Sequence, residues 1–195
     1  MAEFFSQVNI HAARQFAFAW HEQPHALDRL IPPWERLELV SRTGGIQAGE
    51  VNLRKKVGPF WMGFKAIHSQ FIKSEQFFDQ MSGGPFSHWE HLHRFETEKS
   101  DQCVLHDEVS YRLRGGFLGK LLASRLVRNR LEQLFAYRRQ ITQHEIEDHF
   151  RFATVGTKSI AVTGAGGLLG KSICQLLANG GPRVIKLPRV NSTEP

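Results

Sequence analysis

Apolar and polar residues alternate from Phe4 to Ile10, which predicts a first strand, and the period then changes to helical spacing at Ala12, Phe16, Ala19 and Trp20. Pro24 suits the first turn of a second short helix through Leu27 and Leu30, and Pro32-Pro33 stops it. Between Trp34 and Leu113 the pattern predicts six strands: Arg36 to Arg42, Gly49 to Val57, Trp61 to Ile72, Gln76 to Met81, His88 to Phe95 and Cys103 to Leu113. Gly44-Gly45, Gly58-Pro59, Gly83-Gly84-Pro85 and Lys99-Ser100-Asp101 separate them, as expected for an antiparallel meander. A long helix is expected from Phe117 to Tyr137, because Leu118, Leu121, Leu122, Leu126, Leu134 and Phe135 form an apolar stripe. Thr142-Gln143-His144-Glu145 has the form of a capping box and predicts a separate short helix to His149. Residues 151–158 read as a linker.

Composition narrows the class. The chain has 195 residues, 41% of them hydrophobic with 15 Phe and 4 Trp, which suits a packed core and argues against disorder. No apolar stretch is long enough for a membrane span, the start does not look like a signal peptide, and Cys103 and Cys174 have no metal-ligand spacing. A cytoplasmic protein without disulfides is the expectation. The net charge of +6 is concentrated around Lys120, Arg125, Arg128, Arg130, Arg138 and Arg139, which read as a solvated helix face. Nucleic acid is therefore not expected as a partner, and binding of that helix to nucleic acid or acidic lipid ranks last among the function classes.

The order strand, two short helices, six strands and a long helix resembles the helix-grip fold of the START-like (SRPBCC) superfamily, across residues 1–150. Leu30-Ile31-Pro32-Pro33-Trp34-Glu35, Gly83-Gly84-Pro85-Phe86 with His88-Trp89-Glu90-His91, and Leu131 to Arg138 resemble the helix-grip domain fused ahead of bacterial epimerase-like proteins. The resemblance implies a long helix gripping a curved sheet over an apolar cavity, and hence a hydrophobic small molecule as partner. Trp61, Phe64, Trp89, His91, His93 and Tyr111 are the candidate cavity residues, with plain core packing as the competing reading.

The last quarter carries a different signal. Ser159 to Thr163 reads as a strand leading into Gly164-Ala165-Gly166-Gly167-Leu168-Leu169-Gly170, with a helix over Lys171 to Ala178 and a strand over Arg183 to Leu187. In that context Gly164 permits a tight turn, Gly167 lets amides approach a pyrophosphate, and Gly170 allows close packing of helix on strand. The spacing resembles extended short-chain dehydrogenases, the epimerase and dehydratase group. That resemblance implies NADP or NAD held by Thr163, Gly164, Gly166, Gly167, Leu168 and Gly170, with Lys186 and Arg189 placed for a 2′-phosphate. No Tyr-x-x-x-Lys pair is present, and the nucleotide cradle is expected to be incomplete without further strands.

The expected architecture is α+β: a helix-grip domain at 1–150, a linker at 151–158 and a partial Rossmann βαβ unit at 159–195, the last of these loosely held. Two functions compete. One is a binding module for a hydrophobic small molecule, inactive as an oxidoreductase by itself. The other is the N-terminal portion of an NADP-dependent epimerase-like enzyme completed by a separate remainder. His88, His91 and His93 with Glu90 suggest a metal, but two histidines on one strand face without an identifiable third ligand lead to the expectation of none. His106, Glu108 and Arg112 alternate together and read equally as a solvent-facing row or a ligand-orienting one.

Overall fold

The computed structural model describes residues 1–84, 86–114, 117–155 and 158–187, with 117–123 and 155 as backbone alone. Seven strands, β1 (Ala2–Ile10), β2 (Leu37–Thr43), β3 (Glu50–Val57), β4 (Phe60–Ile72), β5 (Gln76–Gly83), β6 (Phe86–Lys99) and β7 (Gln102–Leu113), form one antiparallel sheet in the order β1-β7-β6-β5-β4-β3-β2. Consecutive strands from β2 to β7 are neighbours, joined by tight turns such as Gly58-Pro59, where Gly58 takes a left-handed φ of 60°. The helices α1 (Arg14–His21) and α2 (Ala26–Leu30) carry the chain across the sheet, so that β1 pairs with β7 and not with β2.

Every second residue of β7 from Cys103 to Leu113 is buried, as are Phe4, Ser6, Val8 and Ile10 of β1. These residues line the inner face, against which α1 and the long helix α3 (Phe117–Phe152) pack. Phe18 of α1 anchors one cluster, its ring centroid 5.5, 6.0 and 5.2 Å from those of Phe71, Phe77 and Phe95. A second cluster joins Phe4, Val109, Tyr111 and Leu113 to Leu131 and Phe135 of α3.

Three expectations about α3 are corrected. It is a single helix of 36 residues, without the break that the capping motif predicts. Thr142 and Ile146 are buried against the sheet, and Leu131, Phe135, Thr142 and Ile146 continue one stripe at spacings of four and seven, so breaking the helix would pull this stripe off its core. Second, Leu126 is exposed rather than part of the apolar stripe, while the side chains of Leu118, Leu121 and Leu122 lie outside the described residues. Third, the basic face is not uniformly solvated. Arg125, Arg128 and Arg130 are exposed, but Arg138 and Arg139 are half-buried, donating to the Leu30 carbonyl at 3.3 Å and to Ser6 Oγ at 3.0 Å. The Lys120 side chain is outside the described residues. The expected linker is largely occupied by the end of α3 and a 3-10 turn, Ala153–Val155; residues 156 and 157 are outside the description.

After it, β8 (Ser159–Thr163) and β9 (Arg183–Leu187) pair in parallel with α4 (Leu168–Asn179) between them. This unit is tied down more firmly than the sequence suggests. Arg29 of α2 forms an ion pair with Glu145 of α3 and donates from Nη1 to Ser172 Oγ of α4 at 2.6 Å. The His25 amide donates to Asn179 Oδ1 at 3.2 Å, and Cys174 and Asn179 are buried. Much of its remaining apolar surface is open, Leu168 being 90% and Leu169 76% exposed.

Candidate functional site

The strand register brings titratable side chains into two adjacent rows on the inner face. His68 of β4 lies opposite Asp79 of β5, and Asp79 opposite His91 of β6. One step along, Phe77 pairs with His93, His93 with Asp107 of β7, and Asp107 with Ser6 of β1. Because directly opposed residues share a face, four antiparallel ladders suffice to assemble the cluster from residues up to a hundred positions apart.

Its geometry is close. His91 Nε2 donates to Asp107 Oδ1 at 2.9 Å, and His91 Nδ1 faces Asp79 Oδ2 at 3.5 Å. His93 Nδ1 lies 2.8 Å from the same Asp107 Oδ1, but out of line for a hydrogen bond. The His91 and His93 rings are 3.8 Å apart, Phe77 stacks on His93 at 4.2 Å, and Phe135 of α3 closes over His91 at 5.5 Å.

Burial alone would neutralise every member of this group, so the charges that survive report their partners. Burial opposes a charged His91, but the Asp79 carboxylate and the hydrogen bond to Asp107 outweigh it and raise its pKa to about 9. Burial likewise works against Asp79, yet the charge of His91 beside it brings it down to about 2. Burial also opposes an ionised Asp107, which the hydrogen bond from His91 and the close approach of His93 nevertheless hold well below the usual carboxylate range. His93 is lowered to about 4 by burial and by the charge of His91, and His21 to about 4 chiefly by burial. Arg138 is lowered by burial, against the attraction of Asp107 and Asp79. Two carboxylates, one imidazolium and one guanidinium thus offset one another beside two neutral imidazoles.

Five of the six candidate cavity residues, Phe64, Trp89, His91, His93 and Tyr111, share the inner face. Trp61 does not: it sits on the opposite parity of β4 from Phe64, exposed, with the Arg54 guanidinium 4.7 Å from its ring centroid. Trp89 and Tyr111 pack at 6.1 Å with Phe86 beside them, burial raising the Tyr111 hydroxyl pKa. Toward β3 the same face becomes less covered, with Leu53, Met62, Phe64, Ala66 and Met81 only half-buried. Two surface depressions, of about 490 and 360 Å³, lie elsewhere, one between Phe4 and Arg139 at the β1 edge of α3 and one about Phe5 and His106. None of the six candidate residues lines either.

His88 falls on the outer parity of β6, 3.4 Å from Glu90, away from His91 and His93. The third donor missing from the His91–His93 strand comes from β5: ligand atoms of Asp79, His91 and His93 all lie within 4.8 Å of one another. The doubtful row of β7 faces outward, Glu108 accepting from Arg94 at 2.7 Å and His106 lying 3.5 Å from Glu96. His68, Asp79, Asp107, His21 and Arg138 are the members that sequence reasoning missed.

In the glycine-rich segment Gly164 has a φ of 65°, and the Gly167 amide donates to its carbonyl at 2.9 Å. A Cβ on Gly170 would fall 2.8 Å from the Ala165 Cα, so α4 begins too close to the loop for any side chain there. Gly167 precedes the first turn of α4 without a side-chain cap, three residues earlier than the periodicity predicts. Thr163 ends β8, Gly166 is open to space, Leu168 is exposed, and Lys186 stands exposed on β9 opposite Val162; Arg189 lies outside the described residues.

An antiparallel sheet gripped by one long helix, with aromatic and titratable residues on its inner face, defines the helix-grip class. Residues 10–137 match the polyketide cyclase / dehydrase and lipid transport family, and the chain belongs to that family. The Zhui aromatase/cyclase of a Streptomyces species superimposes with a TM-score of 0.64 at 13% identity, over 78% of this chain and 98% of that one. Thalictrum norcoclaurine synthase gives 0.58 at 14% identity, over 76% and 95%. A nucleoside-diphosphate sugar epimerase from Corynebacterium glutamicum gives 0.73 at 25% identity over 95% of this chain. The chain spans about two fifths (39%) of that epimerase. No curated protein matches in sequence. No helix among the described residues is long and apolar enough to cross a membrane.

Proposed function

We propose that the domain formed by residues 1–150 binds a hydrophobic small molecule of aromatic character on the inner face of its sheet. The observation that carries this reading is the uneven covering of that face. Phe64, Ala66, Met81, Phe86 and Trp89 point inward yet stay half-buried, while the α1 end of the sheet is closed by Phe18 and Phe95. Half-covered inward aromatics beside a few fixed polar groups are the composition of a small-molecule site. The family contains both cyclases and lipid carriers by its description, and the His91–Asp79–Asp107 group gives this chain a means to orient a ligand's polar end. Native mass spectrometry of the purified chain, followed by a panel of aromatic polyketides and fatty acids, tests the reading. We expect at least one of these to bind and Trp89→Ala to weaken it about tenfold or more. Absence of any co-purifying or added ligand would remove the proposal.

A second reading concerns residues 159–187. The epimerase similarity extends across them, and the crowding at Gly170 together with the left-handed Gly164 supports a dinucleotide loop. The backbone of Gly164, Gly166, Gly167 and Leu168 would receive a pyrophosphate at the start of α4, with Thr163 and Lys186 flanking it. Calorimetric titration of NADP+ and NAD+ into this chain, and into Gly170→Val, is the measurement. Saturable binding lost in the variant is expected; no binding at millimolar cofactor, or binding indifferent to Gly170, rejects it for this chain.

A further inference from the structure

We infer that Asp79, His91 and His93 form a binding site for a divalent transition-metal ion at the inner face of the sheet, with Asp107 as the carboxylate that orients the histidines. Two imidazoles and one carboxylate are the donor set that zinc and ferrous ions accept, and three protein ligands leave a coordination position open for water or for a polar group of a bound molecule. The three donors come from adjacent strands at fixed register, Asp79 opposite His91 and His93 two residues further on the same face, and their ligand atoms lie within 4.8 Å of one another. Donors about 2 Å from one ion lie no more than about 4 Å apart, so the side chains would draw together by up to about 1 Å on binding.

A second, independent observation points the same way. Asp79 Oδ2 and His93 Nδ1 are buried and make no hydrogen bond, although each stands in an ion-pair contact, to His91 Nδ1 at 3.5 Å and to Asp107 Oδ1 at 2.8 Å. Buried polar atoms are nearly always hydrogen-bonded, and two ligand-type atoms in one cluster that are not hydrogen-bonded are what an ion would satisfy. Asp107 adds the outer support common to metal-bound histidines. Its Oδ1 takes the hydrogen bond of His91 Nε2, leaving Nδ1 directed at Asp79. On binding, the His91 Nδ1 proton is released to solvent and the ion takes its place. Phe77 and Phe135 against the two rings limit the directions from which water reaches the site.

The test uses the whole chain, purified without a histidine tag. Elemental analysis of the protein as isolated is expected to find about one equivalent of zinc or iron per chain and to say which. Metal-depleted protein reloaded with cobalt(II) should develop visible absorption of a low-coordinate site that saturates at one equivalent. Asp79→Asn and His93→Gln should weaken cobalt binding at least tenfold with an unchanged far-ultraviolet circular dichroism spectrum. Asp107→Asn should weaken it about 10- to 100-fold through the supporting hydrogen bonds. His88→Gln, on the other face of the same strand, should leave binding unchanged and guards against adventitious histidine binding. If the variants fail to fold, zinc-dependent elevation of the melting temperature of the unmodified chain gives the answer by itself. A protein that holds no metal as isolated and takes up no cobalt at 100 µM overturns the inference, as does cobalt binding that survives both Asp79→Asn and His93→Gln. The ligand reading above stands or falls separately, because its measurement is repeated in chelator.

Discussion

Replacing Asp107 by alanine should destabilise the chain by about 3–5 kcal/mol, the range for removing one partner of a buried charge pair. Asp107 is buried in β7 between two imidazoles and is one of two carboxylates that offset the charges of His91 and Arg138. Without it Asp79 alone opposes the buried His91 imidazolium and the half-buried Arg138 guanidinium, and His91 must give up its proton or stay charged in an apolar setting. Asp107→Asn keeps the shape and one acceptor, so its effect should be smaller. Urea unfolding of the three proteins at pH 7 measures this directly. A loss below about 1 kcal/mol for Asp107→Ala would mean that the group is solvated in solution and that the buried network is not formed.

The same cluster shows where sequence reading stopped. The strands were legible because their side chains alternate between an apolar core and water, and Cys103, Leu105, Val109, Tyr111 and Leu113 mark the inward parity of β7 unambiguously. Asp107 lies on that parity as the one acidic residue among apolar ones, and Asp79 sits likewise between Phe77 and Met81. An acidic residue on an inward parity was the available signal for both. Its partners were not legible, since His91 reaches Asp79 and Asp107 only through a register set by turns on either side. The break expected at Thr142 fails for the complementary reason. A capping box is a local preference of about 1 kcal/mol, whereas the stripe from Leu131 to Ile146 buries several large side chains and keeps the helix intact. Trp61 was misplaced because its strand is exposed on both faces near its start, where hydrophobicity does not distinguish in from out. The docking of α4 through Arg29, Asn179 and His149 joins elements far apart in sequence, and no local pattern announces it.

In chelator, stability should fall steeply as pH drops from about 6.5 to 4 and more gently as pH rises from 6.5 to 9. His21 and His93 are held at about 4 in the folded chain, His21 chiefly by burial with its Nδ1 2.9 Å from the Ala17 carbonyl oxygen. Unfolded, both would titrate near 6.5. Between those values the unfolded chain binds two more protons than the folded one at these sites, so acid drives unfolding. His68 and His149, lowered mainly by burial, act in the same direction. The combined effect across the window is of the order of several kcal/mol, a large part of the stability of an ordinary domain. His91 behaves oppositely. Its folded value of about 9 means that its stabilisation is complete below 6.5 and is lost as pH rises through 9, with a slope of one proton against at least two on the acid side. Asp79 and Asp107, held low once folded, remove further stability only below about 4. Thermal melts from pH 4.5 to 9 should therefore peak near neutrality with a steeper acid limb. His21→Leu, an apolar residue in the same packed position, should make that limb shallower by close to one proton. A melting temperature that stays level between pH 7 and 5 would place both imidazoles in water and dissolve the buried cluster on which the proposed site depends.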